Sequence, residues 1–209
     1  MSLPIRLQDL IVWPGGPPIA EDPPWQICSN AARLVRAAIA SLPASYRVLR
    51  DGIAVHETAT IEEGAILKPP CIIGAGCFVA NYAYLRDAVW LGDGVTVGPS
   101  VEIKSSFIGP NSSAAHFNFV GNSILGVAVN LEAGAILANY RNESADKEIL
   151  CVIDGAAIRT GCEKFGALVG DGCRIGANAV LAPGTILSRG TIVPRLKLID
   201  QAAELALRR

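Results

Sequence analysis

The sequence has little charge, few aromatic residues and few of the residues that hold metal ions. Charged residues make up 18% and aromatic residues 6% of its 209 residues, and only two histidines are present. The net charge of -1, with an isoelectric point near 6.1, offers no basic surface to nucleic acid. We therefore expect no nucleic-acid partner.

The six cysteines include no C-x-x-C pair, so the sequence has no sign of a zinc site or a redox motif. We expect free thiols in a reducing compartment and no bound metal. Three cysteines fall on small-residue positions of the repeat described below: Cys71, Cys77 and Cys173. The other three have no spacing typical of metal ligands: Cys28, Cys151 and Cys162.

The sequence also lacks a charged-then-apolar N-terminal signal, and we expect a cytoplasmic protein with no membrane partner. Residues 105–131 contain no Asp, Glu, Lys or Arg, but Gly, Pro, Asn and Ser interrupt them too often for a membrane-spanning helix. We interpret this uncharged segment as a surface that another copy of the chain covers. The hydrophobic content of 51% agrees with such an interface.

What the sequence does contain is a repeat of six residues. Such a period fits neither an α-helix nor a simple strand, and it is typical of a parallel β-helix built from hexapeptides. A second stripe of small residues lies two positions before each aliphatic. The aliphatic stripe consists of Val55, Ile61, Leu67, Ile73, Val79, Leu85, Leu91, Val97 and Ile103.

The repeat divides the chain into three parts. Residues 1–50 are predicted to form an arm and one short helix beginning near Ser29 or Asn30. Residues 51–195 form the β-helix; its period slips after Ile103 and is interrupted at about 141–163, where Asp154-Gly155 signals a projecting hairpin. Residues 196–209 are expected to form a short C-terminal helix.

Arg86 and Lys104 lie eighteen residues apart, which is one full coil of a triangular hexapeptide helix. We expect them to lie one above the other, where two like charges about 5 Å apart repel by roughly 3 kcal/mol at an effective dielectric near 20. A doubly charged anion would remove that cost, which favours a phosphate site. The alternative is that both side chains simply point into water.

The two histidines differ in their surroundings. Hexapeptide rods include zinc carbonic anhydrases, but three histidines are needed for that metal site. We expect His116, in SAAHFNFVG, to lie close to the edge that carries Arg86 and Lys104, where it could accept a proton near pH 7. The alternative is an ordinary interface histidine. His56 precedes the first full coil and is interpreted as structural.

Two blocks of sequence carry a family resemblance. The block from Arg86 to Tyr140, with VEIKSSFIG, AAHFNFVGNSILG and VNLEAGAILANY, closely resembles the acetyltransferase domain of the bifunctional UDP-N-acetylglucosamine pyrophosphorylase/glucosamine-1-phosphate acetyltransferase. The hairpin and the following EKFGALVGDGCRIGANAVLAPGTIL resemble the C-terminal domain of archaeal-type bifunctional sugar-1-phosphate nucleotidylyltransferases. The resemblance covers about residues 55–195.

This resemblance implies an all-β fold, a left-handed parallel β-helix that forms homotrimers, with acetyl-CoA and an amino-sugar phosphate bound in clefts between subunits. By the resemblance, Arg86 and Lys104 hold the sugar phosphate and His116 is the catalytic general base. The resemblance also assigns six substrate-binding positions: Phe119, Asn130, Asn139, Tyr140, Lys147 and Lys164. The loop before Lys147 differs in length from the corresponding loop of the archaeal-type domain.

The sequence departs from the family pattern in several places. Phe119 stands where the relatives carry Tyr, Glu132 replaces a corner Gly, and Ala177 replaces a Ser of some relatives. Residues 1–54 are too short for a nucleotidyl-transfer domain, so we expect no nucleotidyltransferase activity. The leading hypothesis is an acetyl-CoA-dependent N-acetyltransferase of an amino-sugar 1-phosphate. The alternatives are acyl transfer to another amino or nucleotide-linked sugar, and a non-catalytic module that binds a sugar phosphate.

Overall fold

The computed structural model describes residues 7–16, 22–50 and 52–207 of the chain. Most regular structure in these residues is β, and no helix among them is long and apolar enough to cross a membrane. The helices of the described part are short: α1 (Leu7–Leu10), α2 (Pro24–Ser29), α3 (Ala31–Ile39) and α4 (Gln201–Ala206).

Short parallel strands, numbered in chain order, form the three faces of a triangular rod. The first face contains the beginnings of β7 (Tyr84–Leu91) and β9 (Glu102–Ile108), with β4 (Ile66–Leu67), β11 (Phe119–Gly121), β14 (Ile136–Leu137), β19 (Val180–Leu181) and β22 (Leu198–Ile199). The second contains the ends of β7 and β9, with β2 (Ile53–His56), β5 (Cys71–Ile73), β12 (Ile124–Leu125), β17 (Ala167–Val169) and β20 (Thr185–Leu187).

The third face is a separate sheet of seven strands: β3 (Thr60–Ile61), β6 (Phe78–Val79), β8 (Thr96–Val97), β10 (Ser113–Ala114), β13 (Asn130–Leu131), β18 (Arg174–Ile175) and β21 (Ile192–Val193). Outside the coils, β1 (Tyr46–Arg50) pairs antiparallel with β2, and β15 (Leu150–Ile153) pairs with β16 (Ala156–Arg159) as a hairpin.

The six-residue stripe forms the interior of the rod. Leu85, Ile103 and Leu137 are at most 1% exposed and belong to one continuous core with the small residues of the second stripe, among them Cys71 and Cys77. Each strand contributes an aliphatic side chain to this core, and burying one such side chain stabilises by about 1.5–3 kcal/mol. The predicted left-handed parallel β-helix is confirmed.

The period slips at one corner of the rod. Arg86 of β7 lies opposite Lys104 of β9, but three residues later Val89 lies opposite Ser106, so the later coil is one residue shorter. Asp87 and Ala88 turn this corner in left-handed conformation, with φ of 55° and 77°. The slip predicted after Ile103 is therefore a shortened corner, and it lies beside the two cations.

The second face is covered by other parts of the same chain. Its outward row includes Trp90, Phe107 and Ile124, which are at most 9% exposed because α2, α3 and the hairpin pack over them. Ile149 and Cys151 are fully buried there. The predicted hairpin is present, with φ of 49° and 76° at its Asp-Gly turn. Its first strand, β15, packs against β20 of the rod, while its second strand, β16, is mostly exposed.

The N-terminal part contains more helix than expected. The sequence predicts one short helix from Ser29 or Asn30, and α3 does begin at Ala31. An additional helix, α2, begins at Pro24, whose fixed φ suits the first helical turn, and it buries Trp25 and Ile27 against the second face. The prolines that argue against one continuous helix therefore also mark where a short one begins.

The burial of residues 105–131 arises mainly within the chain, contrary to our interpretation of this segment as a surface covered by another copy. Ser106, Ser112 and Ser123 are fully buried, and their hydroxyls bond to backbone groups of neighbouring coils. Such corners replace charge with small polar groups because a buried charge without a partner is costly. The exposed residues of this segment lie at its corners and on the third face: Asn111, His116, Phe117, Ala128 and Asn130.

The C-terminal helix is shorter than expected. Residues 196–200 still belong to the rod, since Leu198 and Ile199 pair with Val180 and Leu181. The helix α4 begins at Gln201, where the Asp200 carboxylate accepts the Ala203 N–H at 3.1 Å. The predicted boundary at residue 196 is therefore too early.

Candidate active site

Six of the expected site residues meet at the corner between the first and second faces. Arg86 and Lys104 are direct register partners on adjacent parallel strands, as their eighteen-residue spacing predicts. They line a cleft of about 420 Å³. The expected residues of this cleft are Arg86, Lys104, Phe119, Asn139, Tyr140 and Lys164, and Glu163 joins them.

Carboxylates beside the cleft form ion pairs with its cations. Arg86 donates to Glu102 Oε1 at 2.7 Å and to Asp87 Oδ2 at 2.8 Å. The ammonium of Lys104 lies 3.8 Å from the same Asp87 oxygen. Burial opposes the charge of Arg86, but these carboxylates outweigh it and its pKa is raised. The mutual repulsion expected from the sequence is thus partly relieved by Asp87.

Lys104 is the more constrained of the two cations. Its side chain is 15% exposed, and its pKa is lowered first by burial and then by the positive charges of Lys164 and Arg86. Three cations therefore act on a common space even with their carboxylates in place. An anion entering the cleft would favour the charged form of Lys104.

The opposite wall of the cleft is formed where the chain leaves the first face. Asn139 follows β14 and donates to Asn122 Oδ1 at 2.6 Å, which fixes its amide at the corner below Lys104. Tyr140 is 37% exposed, and the ammonium of Lys147 lies 5.2 Å from the centre of its ring. Lys147 also donates to the carbonyl of Asn142, so it supports Tyr140 from outside the cleft.

His116 does not lie near the two cations within one chain, and our expectation that it would is wrong. It occupies the exposed corner between β10 and β11, at the other edge of the first face from Lys104. The physical reason is the coil geometry: twelve residues separate His116 from Lys104, which is two sides of the triangle and not a full turn. Its backbone carbonyl accepts the Gly134 N–H at 2.8 Å.

Asn130 lies on the third face, in a second cleft of about 260 Å³ that also contains Glu132, Arg174 and Arg195. Glu132 binds Arg195 through two hydrogen bonds, at 2.7 and 2.9 Å, and accepts the Ala177 N–H. These bonds from Arg195 and Ala177 lower the pKa of Glu132 to about 2. Glu132, at a position where the resemblance has a corner Gly, therefore links three coils through hydrogen bonds.

Sequence reasoning missed several groups of the first cleft. Asp87, Glu102 and Glu163 supply carboxylates, and Asn122 orients Asn139. Asn122 directly follows Gly121, which is in register with Lys104, and so lies at the same corner. The carboxylates carry no spacing signal, since charged residues beside an arginine are common on solvated surfaces.

Comparison with known proteins supports the resemblance. A family model described as "GMPPB C-terminal domain" matches residues 49–149, just under half of the chain. A bifunctional sugar-1-phosphate nucleotidylyltransferase/acetyltransferase of Sulfurisphaera tokodaii is 37% identical over 84 residues, which are 40% of this chain and 20% of that protein. The bifunctional protein GlmU of Methanococcus vannielii is 33% identical over 103 residues, 49% of this chain and 24% of that protein.

This chain thus spans less than a quarter of the length of these curated relatives. Among solved structures, a hexapeptide transferase family protein from Anaplasma phagocytophilum is similar at 20% identity with a TM-score of 0.30, covering 70% of this chain and 74% of that one. The six-residue repeat and the parallel β-helix are those of hexapeptide-repeat proteins. In sequence the chain is similar to parts of a bifunctional sugar-1-phosphate nucleotidylyltransferase/acetyltransferase and of GlmU proteins.

Proposed function

We propose that the chain is an acetyl-CoA-dependent N-acetyltransferase that acts on an amino-sugar 1-phosphate. The observation that carries this proposal is the cleft in which Arg86, Lys104 and Lys164 converge on one space beside Asn139 and Tyr140. Three cations suit a phosphate dianion, and charge-assisted hydrogen bonds to phosphate are among the strongest polar contacts available to a protein. The amide and the phenol suit the hydroxyls of a sugar.

The reaction needs a proton acceptor. The neutral amine of the sugar attacks the thioester carbonyl, the amine loses a proton, and the CoA thiol leaves. His116 is the residue we assign as acceptor, because an imidazole takes up a proton near neutral pH. Since His116 lies across the first face from Lys104 in its own chain, we infer that it serves the cleft of a neighbouring copy in a homotrimer.

We further propose that the acyl donor lies along the third face. The cleft at Asn130 is on that side of the rod, and His116 follows β10 of the same sheet. Arg174 lines this cleft, and no ion-pair partner is found for it within the described residues. Its guanidinium suits the phosphate groups of CoA, whereas the guanidinium of Arg195 is already paired with Glu132.

Thiol release tests the proposal directly. Purified protein is mixed with acetyl-CoA and, in separate reactions, glucosamine 1-phosphate, galactosamine 1-phosphate, glucosamine or a nucleotide-linked amino sugar. We expect thiol release with at least one amino-sugar 1-phosphate and much less with unphosphorylated glucosamine. Activity confined to the nucleotide-linked sugar would favour that alternative acceptor, and mass spectrometry of the product identifies the acylated nitrogen.

A non-catalytic module that binds a sugar phosphate is the second candidate. Phe119 favours it, because it lines the cleft without the hydroxyl that the relatives have at this position. Calorimetry separates the two candidates: saturable binding of glucosamine 1-phosphate, with no thiol release for any amine in the presence of acetyl-CoA, would indicate the module. Phe119→Tyr then tests whether the hydroxyl alone restores transfer.

A further inference from the structure

A third cavity lies between the N-terminal segment and the rod, on a different edge from both clefts. Its volume is about 350 Å³, and it shares no lining residue with either of them. The walls come from parts of the chain that are far apart in sequence, and the residues that decide its chemistry are Trp13, Leu42, Tyr46, His56, Trp90 and Asp93. We call it the aromatic pocket.

Aromatic rings dominate this pocket. Trp13 packs edge-to-face on Trp90, with ring centroids 6.2 Å apart and planes at 72°. Tyr46 packs in the same way on His56, at 4.9 Å and 84°. Two of the three tryptophans in the sequence therefore line one cavity. Edge-to-face packing holds these rings in place, and Trp13 and Tyr46 remain partly exposed while Trp90 is buried.

The polar groups of the aromatic pocket select the charge of that ligand. Asp93 is exposed; its Oδ1 accepts the Ala75 N–H at 2.8 Å, and no partner is found for Oδ2 within the described residues. None of the lining residues that the structure describes is Lys or Arg. Burial, followed by the charge of Asp93, raises the pKa of Tyr46, so the hydroxyl stays protonated. An anion would meet Asp93 without a counter-charge.

His56 adds a fixed hydrogen-bond donor. Its Nδ1 accepts the Thr58 N–H at 3.2 Å and lies 2.9 Å from the Thr58 hydroxyl. Because Nδ1 accepts the Thr58 N–H it carries no proton, so the Thr58 hydroxyl, which accepts the Gly76 N–H, donates to Nδ1. The ring proton of neutral His56 is therefore on Nε2. The aromatic pocket thus combines aromatic rings, one carboxylate and one imidazole N–H donor.

We propose that the aromatic pocket binds a small organic cation, an alkylammonium group with a hydroxyl or another acceptor on its tail. The partly exposed rings of Trp13 and Tyr46 attract the cation, and Asp93 neutralises it. His56 lines the same pocket, and in the proposal its ring N–H donates to the tail. This site is independent of the proposed acetyl transfer, because it lies away from both clefts and from His116.

Choline, with a quaternary ammonium and a hydroxyl, is a suitable probe, and its neutral isostere 3,3-dimethylbutan-1-ol is the matched control ligand. Titration of tryptophan fluorescence reports on the aromatic pocket because Trp13 and Trp90 line it. We expect saturable binding of choline and at least about tenfold weaker binding of the isostere, since only the cation gains from the ring faces and the carboxylate.

Two variants complete the test. Asp93→Asn keeps an oxygen for the Ala75 N–H and removes the charge, and we expect choline to bind about tenfold more weakly. Asp154→Asn, at the hairpin turn, removes the same charge elsewhere and should leave binding unchanged. Circular dichroism confirms that both variants fold. The proposal is overturned if choline shows no saturable binding, if the isostere binds equally well, or if Asp93→Asn and Asp154→Asn behave alike.

Discussion

Arg86 and Lys104 lie opposite each other on adjacent parallel strands, and both approach the same carboxylate oxygen of Asp87, at 2.8 and 3.8 Å. Asp87 sits in the shortened corner and has a φ of 55°. The two cations are therefore held together by an internal anion. If the cleft binds a phosphate as proposed, that phosphate must displace or share Asp87, and the strength of its binding will depend on this carboxylate.

Replacing that carboxylate is expected to strengthen phosphate binding. Asn tolerates the left-handed conformation of residue 87, so Asp87→Asn should preserve the corner. Without the competing charge, the KM for the phosphorylated sugar should fall several-fold. Steady-state thiol release at varied sugar concentration measures the change. The KM for acetyl-CoA should not move, and the control Asp154→Asn should leave both values unchanged. A higher KM for the sugar would show that Asp87 helps to bind it.

The assignment of His116 as the general base predicts a loss in turnover. His116→Ala should lower kcat by about 10² to 10⁴ while the binding of acetyl-CoA and the assembly state stay the same. His56→Ala is the matched control, because His56 lies on another edge of the rod. Full activity of His116→Ala would falsify the assigned role.

A homotrimer is expected because the first face keeps exposed apolar side chains after the chain has folded. Ile66, Ile136 and Leu198 share one outward row and are 50%, 38% and 56% exposed. Sedimentation at micromolar concentration should show three copies, and Ile136→Glu should give monomers. Val48→Glu, a change at an exposed residue of β1 away from this face, should not. A monomeric wild type would contradict both the trimer and the shared site.

The hydrogen bonds of Glu132 with Arg195 and Ala177 predict a pH-dependent contribution to stability. The pKa of Glu132 falls from 4.5 to about 2 in the folded chain, so the carboxylate stabilises the fold above about pH 4.5 and loses this effect between about pH 4.5 and 2. Glu132→Gln should therefore melt at a lower temperature than wild type at pH 7, and the two melting curves should converge near pH 2. Calorimetric scans at both pH values measure this. An equal difference at both would mean that the carboxylate charge is not responsible.

The interior of the rod was predictable because one hydrophobic position recurs every six residues. The aliphatic stripe around Leu85 and Ile103 and the register of Arg86 with Lys104 follow from that period alone. The same count gives the position of His116, since twelve residues from Lys104 are two sides of the triangle, and our expectation that it lies near the cations overlooked this. The cover on the second face was missed for another reason: Trp25 in α2 and Cys151 in the hairpin have no period linking them to the strands that they bury.

The sequence also could not reveal the aromatic pocket. Trp13 and Trp90 lie far apart along the chain and meet only because the N-terminal segment packs beside the rod. The sequence also could not identify carboxylate partners such as Glu102, because their effect on Arg86 depends on the distance between the side chains. Periodicity therefore predicts the scaffold and the residues that it stacks, while contacts between distant segments need the folded structure.

The central claim is that Arg86 and Lys104 bind the phosphate of the acceptor, and one comparison of rates tests it most directly. The ratio of kcat/KM for glucosamine 1-phosphate to that for glucosamine is measured for wild type, Lys104→Ala and the control Arg47→Ala, which removes an exposed cation of β1. We predict that Lys104→Ala lowers this ratio about tenfold or more, because a charged hydrogen bond to phosphate is lost, and that Arg47→Ala does not. A ratio that is unchanged in Lys104→Ala, with wild type active on both sugars, would contradict the account.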